Sequence, residues 1–177
     1  REPRAAASLD SLLRASGRVD ELRWLFKLRV DQLDGSAKAS LLEEWATLEE
    51  EAFHEPKRAA GLLQWVAELD ATREVVLRSL PRLLGAIGDF AGAARVIEGA
   101  RSRLSGAPRA SLELQLAELY LDQLGRPQDA LEACETALRE RPQAPGATAL
   151  LSRLAELPAL RRRALGLLAS EHQASGS

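Results

Sequence analysis

Four turn points recur along this chain of 177 residues at Gly17, His54, Gly88 and Gly125, separated by 37, 34 and 37 residues. Alternating spacings of this kind imply a larger unit of 71 residues, and the chain laid over itself at that offset matches. Ser8 and Leu9 fall on Ser79 and Leu80, Leu12 and Leu13 on Leu83 and Leu84, and Ala15 and Gly17 on Ala86 and Gly88. Further on, Gly35 meets Gly106, Ala39-Ser40-Leu41 meets Ala110-Ser111-Leu112, and Pro56 and Ala59 meet Pro127 and Ala130. Leu and Ala are abundant and match easily. Gly and Pro punctuate the backbone, so their coincidence carries the repeat.

The repeated unit is helical. Ala, Leu, Arg and Glu dominate, and aromatic residues are only 4% of the chain, so strand formers are sparse. Helices are expected near 4–16, 19–33, 37–53, 56–69, 71–87, 90–104, 109–124, 127–140, 146–156 and 159–170. Asp70 is expected to cap the fifth of these. Gly35 and Gly106 are placed where a left-handed residue follows a helix end. Pro56 and Pro127 suit the first turn of a helix, where a missing N–H costs nothing. Pro81 falls inside a helix and predicts a kink or a restart.

The stretch Gly125 to Pro142 resembles the tetratricopeptide repeat family, whose period is about 34 residues. Gly125, Ala130, Cys134, Ala137 and Pro142 fall on the family's turn Gly, first small residue, large apolar residue, second small residue and closing Pro. Gly88, Ala93, Ile97 and Ala100 fit four of these positions; Ala59, Leu63 and Val66 fit less fully, as do Gly17, Leu22 and Phe26. The resemblance implies an all-α, right-handed α-solenoid of about five antiparallel helix pairs. It would occupy residues 1–170 as one repeat domain, with 171–177 as a flexible tail. It further implies a concave groove lined by the first helix of each pair, and a scaffold that grips a peptide or protein without catalysis. The family's best-known pocket holds a terminal carboxylate with Lys, Arg and Asn, and this chain contains no Asn.

If the first helices line a groove, Arg14, Arg78, Arg82 and Arg153 are candidates to pair with an acidic partner, and Gln115, Asp122 and Gln123 flank them. Glu44, Leu48 and Glu51 are the candidates from the third helix. The competing reading is a set of solvated helix faces. Trp24, Trp45 and Trp65 are expected in the core between early helix pairs rather than as an anchor for a partner. Arg161-Arg162-Arg163 is expected to be a polar face of the last helix.

Enzyme chemistry has little to stand on. No glycine-rich phosphate loop, H-E-x-x-H or nucleophile elbow is present, and no cofactor or metal is expected. His54 has Glu50, Glu51 and Glu55 nearby, but it is expected to occupy a turn position that elsewhere holds Gly. Cys134 is the single cysteine and is expected to be an inert core thiol. A net charge of −2 gives no drive toward nucleic acid. No run of about 18 apolar residues is present to span a membrane.

A protein or peptide partner is therefore favoured. The alternatives are a regulatory or sensor module of a larger enzyme-containing protein, an RNA-binding helical repeat, or self-association through exposed solenoid ends. A chain that begins at Arg1 and lacks Met reads as a fragment or a processed product. A cytoplasmic location is favoured, and the Arg- and Ala-rich composition suits a GC-rich bacterial genome.

Overall fold

The computed structural model describes Leu9, Leu12, Leu13 and residues 16–175. Among the described residues there are nine α-helices and no strand. The helix expected over 4–16 and the candidate Arg14 lie outside those residues, apart from positions 9, 12, 13 and 16. The chain forms two compact units, Arg1–Val76 and Leu77–Ser177.

The first unit holds α1 (Val19–Asp31), α2 (Gly35–Glu51) and α3 (Pro56–Leu69), with α2 packed on both its neighbours. Apolar residues at helical spacing define the buried faces: Leu22, Phe26 and Val30 on α1, Leu42 and Ala46 on α2, and Ala59, Leu63 and Val66 on α3. Burying one such large side chain contributes about 1.5–3 kcal/mol. The turn after α3 is tied back by Arg73, whose guanidinium lies 2.9 Å from Ser36 Oγ and 2.5 Å from Glu43 Oε1.

The fourth helix, α4 (Glu74–Ala86), lies in the second unit from Leu77 onward. It is followed by α5 (Phe90–Arg101), α6 (Gly106–Asp122), α7 (Pro127–Glu140), α8 (Ala147–Ala155) and α9 (Arg161–Ser175). Helix α6 packs against α5 and α7, α7 against α8, and α8 against α9. The core here is built from small residues beside larger ones. Ala93, Ala100, Ala130, Ala137 and Ala147 are wholly buried, as are Leu116, Leu131, Leu151 and Leu154.

Pro56 and Pro127 open α3 and α7 as expected. All four turn points have left-handed backbone, with φ of +66° at Gly17, +56° at His54, +81° at Gly88 and +62° at Gly125. His54 thus holds a conformation that favours Gly. Gly35 and Gly106 are also left-handed, but each is the first residue of the following helix.

Three expectations change. Helix α4 begins at Glu74, and the Asp70 carboxylate caps the preceding turn, accepting from Thr72 N at 3.0 Å and Thr72 Oγ1 at 2.7 Å. Of the kink or restart expected at Pro81, the restart is absent, since α4 runs through it from Glu74 to Ala86. One lost backbone bond is outweighed there by the burial of Leu80, Leu83 and Leu84. Helix α9 continues to Ser175, beyond the expected end at residue 170, and Thr148 Oγ1 donates to Glu171 at 2.9 Å.

A Cβ at Gly88 would meet no heavy atom within 4 Å, so the cost of substitution there lies in the backbone. Gly88→Ala is expected to destabilise by about 1–2 kcal/mol, the left-handed penalty, whereas His54→Gly costs nothing. Urea denaturation of the two variants checks this, and equal losses would mean that turn conformation does not set the residue at these points.

Candidate interaction surfaces

Helix α6 presents two different polar faces. Gln115, Glu118 and Asp122 recur at helical spacing on one side, and Glu113 and Tyr120, two turns apart, lie on the other. Leu112, Leu114, Leu116 and Ala117 fill the flanks and are buried.

On the first face lies a hollow of about 300 Å3, with Pro81 and Gly85 of α4, Phe90 and Ile97 of α5, and Gln115, Glu118, Leu119, Asp122 and Gln123 of α6 around it. A second hollow of about 270 Å3 adjoins it and shares Gln115 and Glu118, with Arg141 and Pro145 on its far side. Three of the residues singled out from sequence, Gln115, Asp122 and Gln123, therefore line one hollow. Arg153 joins them from α8, its Nη1 lying 3.3 Å from Asp122 Oδ2 while its Nη2 donates to Oδ1. The Arg153 guanidinium is thereby committed to a carboxylate of its own unit. Arg78 and Arg82 are exposed on α4, where Pro81 and Gly85, rather than these arginines, border the hollow. In the first unit Glu44 and Glu51 are exposed on α2, and Leu48 is half-buried.

Two of the three tryptophans differ from expectation. Trp24 and Trp65 are 60% and 52% exposed, because Leu22, Leu25 and Phe26 on α1 and Leu62, Leu63 and Val66 on α3 occupy the inward positions. Trp45 is half-buried and stacks on Phe26 with ring centroids 5.6 Å apart. Arg161, Arg162 and Arg163 are all exposed, and Arg163 Nη2 donates to Glu135 at 2.7 Å. Cys134 is buried, and desolvation pushes its thiol up to about 12, which leaves it protonated and unreactive.

Two buried carboxylates have no counterpart in the sequence reading. Glu49 of α2 is wholly buried and fully engaged: Arg23 Nε and Nη2 donate to it at 2.8 and 2.7 Å, and Trp45 Nε1 at 2.9 Å. Glu113 of α6 is equally buried but poorly engaged. Its Oε2 lies 3.4 Å from Arg101 Nη1, while its Oε1 and the facing Arg109 Nε, 3.6 Å apart, have no hydrogen-bond partner. The 71-residue overlay held the signal, since Glu113 falls on Leu42 and Glu49 on Tyr120.

Tyr120 completes this second face. Its hydroxyl donates to Glu98, and the Arg126 guanidinium sits 4.5 Å from its ring centroid. Burial, reinforced by the bond to Glu98, raises the phenol from 10.0 to about 12. Among the described residues no group of three His, Cys, Asp or Glu side chains could hold a metal ion, and no helix is long and apolar enough to cross a membrane.

No family model matches the chain, and no curated protein matches it. Solved structures match its fold. A crystal structure of MamA, a protein that contains tetratricopeptide repeats, aligns with a TM-score of 0.61 at 18% identity, covering 94% of each chain. A second MamA crystal structure aligns with a TM-score of 0.60 at 19% identity, covering 96% of this chain and 89% of the other. At these identities the likeness shows the fold, which is a tetratricopeptide-like helical repeat.

The raised phenol pKa has a consequence for stability. A neutral group favoured by the folded state contributes in full below its unfolded value near 10 and loses that contribution as pH rises through about 12. Urea midpoints are therefore expected to fall over that window, and Tyr120→Phe should flatten this part of the profile. An unchanged profile in the variant would assign the alkaline loss to other groups.

Proposed function

We propose that the chain is a non-catalytic interaction module whose second unit holds a segment of another protein along the exposed face of α6. The observation that carries this reading is the pair of adjoining hollows sharing Gln115 and Glu118. Pro81, Phe90, Ile97 and Leu119 give the larger hollow apolar lining, which suits one apolar anchor side chain. Beside them stand Glu118 and the Asp122 carboxylate that Arg153 already neutralises. The Glu118 carboxylate next to apolar lining favours a segment in which a large apolar residue is flanked by Lys or Arg. This reverses the charge preference that the sequence suggested. Arg153 and Asp122 neutralise each other, so the preference for a basic flank rests on Glu118.

Peptides displayed at random and selected on the immobilised full chain test the reading. Enrichment of an apolar residue beside Lys or Arg is expected. Glu118→Arg is expected to weaken a selected peptide at least tenfold, about 1.4 kcal/mol, and the affinity of the parent chain should fall with salt. Selection of acidic peptides, or equal binding by the Glu118→Arg chain, would sink the proposal.

A further inference from the structure

One face of α3 carries side chains that the chain itself does not use. Arg58, Trp65 and Glu68 are exposed, with Gly61 half-buried between them. Their spacings of three, four and three residues put all four on one stripe about 80° wide. The buried residues Ala59, Leu62, Leu63 and Val66 occupy the other side of the helix. Among the described residues neither Arg58 nor Glu68 has a side-chain partner. Glycine inside a helix costs about 0.5–1 kcal/mol against alanine. A Cβ at Gly61 would meet no heavy atom within 4 Å, so packing within the chain gives no reason for glycine there. The Trp65 ring, one turn away, does not fill that space either.

The repeat does not require this set. At the 71-residue offset Arg58, Gly61, Trp65 and Glu68 meet Asp129, Glu132, Thr136 and Arg139 of α7. That stripe is polar and bonded within the chain, Arg126 to Asp129 at 2.6 Å and Arg139 to Thr136 at 2.9 Å.

Read backwards, the stripe on α3 is its own complement. About a midpoint at residue 63, Arg58 stands opposite Glu68 and Gly61 opposite Trp65. Two α3 helices related by a two-fold axis run antiparallel. Each guanidinium then meets a carboxylate, and each indole lies over a bare stretch of backbone. A second copy supplies all four features in the required order by symmetry alone. The area is that of a weak dimer. Interfaces begin near 500 Å2 a side, about two thirds of it apolar in homodimers. Trp65 and Trp24, the latter on α1 at the position after its turn that Gly61 holds on α3, expose about 200 Å2 between them. Leu28 and Leu69, 38% and 44% exposed, carry the apolar area toward that share.

We propose that two copies of this chain associate through α3, antiparallel about a two-fold axis, with Trp65 of each seated on Gly61 of the other and Arg58 paired with Glu68 across the contact. The contact uses a side of the first unit rather than a solenoid end. It does not depend on the interaction reading for the second unit.

Sedimentation of the full chain from about 1 μM to about 1 mM tests this. The mass is expected to rise with concentration from 19.2 kDa toward twice that value and no further. Trp65→Ala and Gly61→Leu should each weaken association at least tenfold, and Gly61→Leu should keep or raise the melting temperature. Arg58→Glu and Glu68→Arg should each weaken it as well. The double variant, and an equal mixture of the two single variants, should regain it, because each restores opposite charges at both ends of the contact. A single copy at every concentration, assembly beyond two copies, or undiminished association in any single variant would overturn the proposal. So would a double variant or mixture that stays monomeric. Arg58 and Glu68 are exposed and have no side-chain partner, so the charge variants decide if Trp65→Ala or Gly61→Leu fails to fold.

Discussion

The structure depends on how closely neighbouring helices approach, and that distance is set by alanine. Ala59, Ala93 and Ala130 follow their turn points by five residues, and each is wholly buried. A methyl group there lets the second helix of a pair lie against the first. Leu63, Ile97 and Cys134, one turn later, fill the space that opens beyond it, and each of these is buried as well. A larger residue at the alanine would force off-rotamer packing at a cost of about 1–3 kcal/mol. The turn geometry and the direction of every polar face follow from this register.

The register was legible because its markers act on the backbone. A left-handed residue, a proline in a first turn and a small residue at a crossing each have few acceptable side chains, so their positions survive in the sequence even where the rest diverges. Gly17, Gly88 and Gly125 were visible for that reason, and His54 was found through spacing although its side chain is unlike the others. Helix limits at 56–69 and 127–140 coincide with the structure because proline marks their starts. The same register puts Gln115 and Asp122 on one face of α6, and both line one hollow.

What stayed hidden depends on tertiary packing. Spacing places Trp24 and Trp65 on helices but does not say that smaller neighbours occupy the inward positions. Pro81 obeys a local rule that buried leucines override. Asp70 bonds to the turn beside it rather than to a helix start, a choice between local geometries that the residue type leaves open. Arg153 and Asp122 are thirty-one residues apart, and their pairing exists only once α6 and α8 lie side by side. Charged residues on helices also read as solvated faces by default, which is why Glu49 and Glu113 passed unnoticed.

Helix α6 carries two polar faces of different character. Leu112, Leu114 and Leu116 are buried on its flanks. Gln115, Glu118 and Asp122 on one face are exposed. The opposite face buries Glu113 and Tyr120 against α5 and α7, where the low dielectric strengthens every polar contact and penalises any that is unmade. In the first unit the corresponding helix, α2, carries Leu42 and Glu49 at the matching positions and satisfies its one buried carboxylate completely. The same backbone thus accepts either a closed or an incomplete polar set. The incomplete set in the second unit is therefore a property of its side chains and not a demand of the repeat.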